Sequence, residues 1–128
     1  MARLDRSDAA RIAALVALRV ALTLAHRSLG VDSLSDDDYA RAVISERFAA
    51  APALDPSGTS WLPAPFWVVG TALRVFGGAM DTVRVVHGAA SALAVALVYV
   101  SARGFGMTTR VAWLVGLLCV ELQPGAVL

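Results

Sequence analysis

Lysine is missing from this 128-residue sequence, asparagine is missing too, and all eleven basic side chains are arginines. That bias fits a GC-rich coding composition and carries no functional message. Charge as a whole is scarce: 16% of residues are charged, 58% are hydrophobic and the formal net charge is +1. A soluble domain of this size needs polar residues over a large surface, so water is a poor solvent for this chain. No basic cluster is interleaved with aromatics, which excludes the electrostatic footprint of a nucleic-acid binder. The one cysteine, Cys119, lies in an apolar run. A lone thiol closes no intrachain disulfide and behaves there as a small hydrophobe. No internal repeat or low-complexity linker divides the chain, and its length fits a single domain.

The long apolar stretches are what the sequence has in abundance. Ala9 to Leu29 is apolar apart from Arg11, Arg19, His26 and Arg27, and the first span, placed at 8–29, is at about 1.5 Å per residue long enough to cross a hydrocarbon core of roughly 30 Å. Arg19 sits near the centre, where insertion costs about 2.5 to 3.5 kcal/mol, so it is expected to face other helices or water rather than lipid. The same arginine interrupts the apolar core that a cleaved signal peptide would need. Val85 to Ala102 holds eighteen residues without a charge, rich in small side chains that allow close helix packing; the second span is placed at 82–103. A third is placed at 109–128, with Glu121 and Pro124 marking a boundary or kink near its end.

Leu62 to Phe76 is apolar too, but only twelve uncharged residues precede Arg74, too few for a comfortable crossing. Were it to span, Arg103 and Arg110 would fall on the opposite side from Arg3 and Arg6, against the positive-inside rule. Residues 63–77 therefore read as a helix lying at the membrane interface, anchored by Trp61, Phe66 and Trp67. Ser35, three aspartates and then Ala40, Val43, Ile44 and Phe48 at helical spacing read as a capped amphipathic helix over about 36–50. The sequence thus predicts an all-α, multi-spanning membrane protein, multi-pass in the inner (plasma) membrane. It has about three transmembrane helices, a cytoplasmic N-terminus and an extracytoplasmic loop over residues 30–80 that carries two interfacial helices.

Asp36, Asp37 and Asp38 crowd three carboxylates at the start of the first loop helix, where mutual repulsion favours a protonatable group able to act as a general base. Acidic residues at a helix N-terminus also cap amides and complement the dipole with no chemistry at all. Asp36 and Asp38 offer hard oxygen ligands, but no His or further carboxylate stands near them in sequence, so a divalent metal is not indicated. Single residues elsewhere have plain readings: His87 as a helix-packing or interfacial group, Glu121 as a boundary residue, Trp61 and Trp67 as interfacial anchors with sugar stacking as the alternative.

The order of elements resembles a known family. A first span, a short acidic motif, the segment Trp61-Leu62-Pro63-Ala64-Pro65-Phe66-Trp67 in a helix closing on Phe76-Gly77, and Arg84 opening the next span resemble the N-terminal part of GT-C glycosyltransferases, in particular their protein-mannosyltransferase and aminoarabinose-transferase branch. The resemblance implies an enzyme that moves a sugar from a polyprenyl-phosphate carrier to an extracytoplasmic acceptor, with the bilayer and the lipid-linked donor as partners and no cofactor. It places the base at Asp37, then Asp36, with Asp38 making a run of three where the family has a pair. Tyr39, Arg41, Trp61 and Arg84 are the substrate-binding candidates, and Arg74 is a further cation for the departing phosphate. It also implies that the whole enzyme has more spans than these three, making this chain an N-terminal portion that is inactive alone. The alternative from another class is a small non-catalytic membrane subunit or assembly protein, in which the aspartates only cap a helix.

Overall fold

The computed structural model describes residues 5–29, 36–58 and 60–121, the side chains of Asp36, Asp38, Ala79 and Glu121 excepted. Arg3, Ser35, Pro124 and the far end of the third expected span lie outside the described residues. Those described form five helices and no strand: α1 (Arg6–Ser28), α2 (Asp36–Ala50), α3 (Ala64–Phe76), α4 (Ala79–Gly104) and α5 (Thr109–Glu121). Two of them, α1 and the stretch Met80–Gly104 of α4, are long and apolar enough to cross a membrane.

The helix ends follow local chemistry. At the start of α1 the Asp8 amide donates to the Asp5 carboxylate at 2.8 Å and the Asp5 amide donates back to Asp8 Oδ2 at 3.1 Å. This capping box starts the helix two residues before the expected span. Pro63 precedes α3 and Pro65 sits in its first turn, where a missing amide costs nothing. The helix stops at Gly77, whose φ of 66° lies in the left-handed region that glycine adopts without strain. Because Gly78 follows with φ 64° and Thr82 Oγ1 donates to the Gly77 carbonyl, α4 begins at Ala79 rather than at 82. Asp81 and Arg84 are thereby drawn into its first turns.

The chain divides into two compact units. The first contains α1, α5 and α4 from Gly88 onward. Its core is Leu15, Val95, Tyr99, Ala102, Ala112 and Val120. Polar groups are buried in it as well. Arg19, only 3% exposed, donates from Nε to Ser91 Oγ at 2.6 Å and from Nη1 to the Val120 carbonyl at 3.2 Å. The shelter expected for this arginine is therefore supplied by α4 and α5. Asp8 is fully buried, accepting from the Tyr99 hydroxyl at 2.6 Å and facing Arg103 Nε at 3.2 Å. Each buried charge has directional partners, without which burial would be prohibitive.

The second unit contains α2, α3 and the beginning of α4 up to His87. α3 buries Phe66, Val69, Gly70 and Leu73 on one face, the spacing of a helical stripe. A Cβ on Gly70 would lie 2.8 Å from the Ser45 carbonyl oxygen and 2.5 Å from the Phe48 ring, so glycine is what lets α2 and α3 meet closely here. One expectation is corrected at this point: Phe66 is 2% exposed, a core residue of the unit rather than an interfacial anchor. Its place at the start of the buried stripe of α3, one turn before Val69 and Gly70, accounts for that. Trp67, Val68, Val75 and Phe76 are the exposed apolar residues of the same helix.

Candidate functional site

The first turn of α2 presents the carboxylate run. Asp37 and Tyr39 are exposed; the side chains of Asp36 and Asp38 lie outside the described residues. Residues four apart share a helix face, which puts Arg41 one turn beyond Asp37. The Ser45 hydroxyl, one turn further on, donates to the Arg41 carbonyl at 2.8 Å inside the same helix.

Arg41 connects this face to the segment ahead of α3. Its guanidinium carbon lies 5.5 Å from the centroid of the Trp61 ring, within the range of a cation–π contact. Trp61 in turn stacks on Phe66, with centroids 6.0 Å apart and planes at 20°. Buried Phe66 thus fixes Trp61, and Trp61 fixes the guanidinium. Upstream, Asp55 Oδ1 accepts from the Ser57 amide and hydroxyl and from the Gly58 amide at 3.0 to 3.2 Å. Its carboxylate is spent on organising that turn.

Beside the Arg41–Trp61 pair is a groove of about 510 Å³, whose lining includes Ser60, Leu62, Pro65, Phe66 and His87. His87, expected as a helix-packing or interfacial group, also forms a wall of this groove. Its Nδ1 is 2.9 Å from the Val83 carbonyl oxygen. A carbonyl can only accept, so that contact requires the proton on Nδ1. The groove therefore combines a guanidinium, an aromatic shelf, a hydroxyl and an imidazole, a set that suits an anionic, hydroxyl-bearing ligand.

Among the sequence-selected residues, then, Arg41 and Trp61 are in contact, and Asp37 shares the α2 face with Arg41. Arg84 stands one turn before His87 on α4, with Nη1 3.8 Å from Asp81 Oδ1. Arg74 is exposed on α3. Among the described residues no group of three or more His, Cys, Asp or Glu gathers to hold a metal ion. The chain matches no protein-family model, no curated protein and no solved structure.

Proposed function

We propose that this chain carries the catalytic first extracytoplasmic loop of a multi-spanning membrane glycosyltransferase of the GT-C type, in which an Asp36–Asp38 carboxylate is the general base and the donor is a polyprenyl-phosphate-linked sugar. The observation that supports it is the juxtaposition on α2 and α4: an exposed aspartate and a stacked arginine on one helix face, beside a groove closed by His87. In the proposed step the carboxylate, Asp37 first, takes the proton of an acceptor hydroxyl as its oxygen attacks the anomeric carbon. The bond from that carbon to the phosphate oxygen breaks, and the lipid phosphate leaves with the electron pair. Arg41 supplies positive charge for it.

Topology supports the same reading. In the first unit α1 and α4 run antiparallel, since Asp8 meets Tyr99 while Arg19 meets Ser91. If both cross a plasma membrane, the segment between them lies on one side and the turn before α5 on the other, with the N-terminus. The positive-inside rule then puts Arg6, Arg11, Arg103 and Arg110 in the cytoplasm and residues 30–80 outside. The exposed Val68, Val75 and Phe76 support the reading of α3 as an interfacial helix on that outer side.

Chromosomal Asp36→Asn, Asp37→Asn and Asp38→Asn replacements, each followed by transfer of labelled sugar from polyprenyl phosphate in isolated membranes, test the proposal. The expected result is loss of transfer in at least one variant with unchanged protein level. Undiminished transfer in all three sinks the catalytic assignment and favours the non-catalytic subunit.

A further inference from the structure

At one end of the first unit the packing gathers arginines that lie far apart in sequence. Two contacts set the register of α1 against α5: a Cβ on Gly116 would meet Leu15 Cδ1 at 2.6 Å, and Arg19 donates to the carbonyl of Val120. Both pairs are offset by 101 residues, so the two helices run parallel and Arg110 stands level with Ala9, between Arg6 and Arg11. α4 returns antiparallel, and its Arg103 meets Asp8. At 1.5 Å rise per residue the four arginines occupy a band about 8 Å tall.

The carboxylates of this band, Asp5 and Asp8, are fewer than its four arginines. Asp8 is buried between Tyr99 and Arg103, and Asp5 accepts from the Ser7 hydroxyl at 2.6 Å as well as from the Asp8 amide. Arg6 and Arg110 are exposed, and among the described residues no carboxylate is in ion-pair contact with either. The turn between α4 and α5 is held by Arg103 Nη1 donating to the Met107 carbonyl at 2.8 Å and by Gly106 at φ 81°. It projects Phe105, 85% exposed, from the same end. Trp113, half-buried one turn into α5 beyond Arg110, packs against the core of the unit.

We infer that this end of the first unit is a binding surface for anionic phospholipid headgroups, with Arg6 and Arg110 as the principal contacts and Phe105 seated in the interfacial layer. The inference rests on the reading that α1 and α4 cross a bilayer. Charge complementarity selects the occupant: exposed arginines next to an apolar ring at the mouth of a bundle match a phosphate-bearing headgroup over acyl chains.

The test uses the full chain mixed with vesicles of phosphatidylglycerol or of phosphatidylcholine, reading association and the preference between the two lipids. Wild type is expected to favour phosphatidylglycerol. Arg6→Gln and Arg110→Gln should each reduce that preference about fivefold and together about 25-fold, near the surface value of one cation each. Phe105→Ser should weaken association with both lipids alike. An unchanged preference in the double variant, or an equal loss in the control Arg47→Gln on α2, overturns the headgroup surface while leaving the membrane reading intact. A chain that enters vesicles of neither composition overturns the spanning reading and this inference with it.

Discussion

In the unit built from α1, α5 and the later part of α4, Asp8 and Arg19 turn inward, whereas Arg6 and Arg110 stay exposed. Asp8 holds Tyr99 and Arg103, and Arg19 holds Ser91 and a backbone carbonyl. In the unit built from α2, α3 and the start of α4, the charges stay at the surface. Asp37 is exposed and Arg41 lies over Trp61 at the rim of a groove, while valines and a phenylalanine also face outward. Removing a buried charge leaves its fixed partners unsatisfied. An exposed carboxylate on a helix face constrains little and is free to do chemistry. The contrast is between a charge spent on structure and one left at the surface.

The sharpest way to break that contrast is to neutralise one carboxylate in each unit. Asp37→Asn is expected to lower sugar transfer by about 10²-fold or more, the scale of losing a general base, with no change in the thermal unfolding of the purified chain. Asp8→Asn is expected to do the reverse, lowering the unfolding temperature because Arg103 is left buried beside a neutral amide, with transfer falling only in step with folded protein. Transfer assays on membranes carrying the chromosomal replacements, together with thermal melts on the purified chains, decide it. If Asp37→Asn unfolds the chain or Asp8→Asn abolishes transfer without unfolding it, the division between the units is wrong.

Much of this was readable from residue types and spacing. Apolar residues at helical spacing placed α2, and an apolar run set between prolines and glycines placed α3, each within a residue or two, and the cost of Arg19 in lipid demanded an internal partner. Which partner could not be read, because Ser91 and Val120 are 72 and 101 residues away and no local rule connects them. The Asp8 network did leave a trace: an aspartate in the third position of a capping box, and Tyr99 with Arg103 four apart near the end of an apolar helix. Phe66 misled for a simple reason: hydropathy gives an aromatic side chain at a helix end no side of the helix to face, and its place on the buried stripe of α3 turns it inward.

Smaller changes sharpen the comparison within each unit. Tyr99→Phe deletes one donor to a buried carboxylate and is expected to cost about 1.5 to 3 kcal/mol in chemical unfolding of the detergent-solubilised chain. Gly70→Ala forces a methyl group against the Ser45 carbonyl, a backbone atom that cannot step aside, for about 1 to 3 kcal/mol. Gly116→Ala should cost about 1 kcal/mol or less, since the obstacle is the end of the Leu15 side chain, which can change rotamer. A larger loss for Gly116→Ala than for Gly70→Ala would mean that the first unit, not the second, has the less forgiving helix contact.

The smallest expected effect belongs to Asp5, which is exposed like Asp37 yet structural like Asp8. The Ser7 hydroxyl and then the Asp8 amide bond to its carboxylate and hold its pKa below the ordinary value of 3.8. A lowered folded pKa means that the unfolded chain takes up its proton first as pH falls. The contribution of the cap is therefore fully present above the ordinary value, declines between that value and the lowered one, and is gone below both. Asparagine caps a helix about as well as aspartate but does not titrate there. Asp5→Asn should consequently keep α1 intact at neutral pH and remove the acid-dependent fraying of its first turn, whereas Asp5→Ala should fray that turn at every pH. Amide hydrogen exchange at Asp8 and Ala9, followed from neutral pH down through the carboxylate range, reads this directly. Equal acid sensitivity in wild type and Asp5→Asn would assign the fraying to another group.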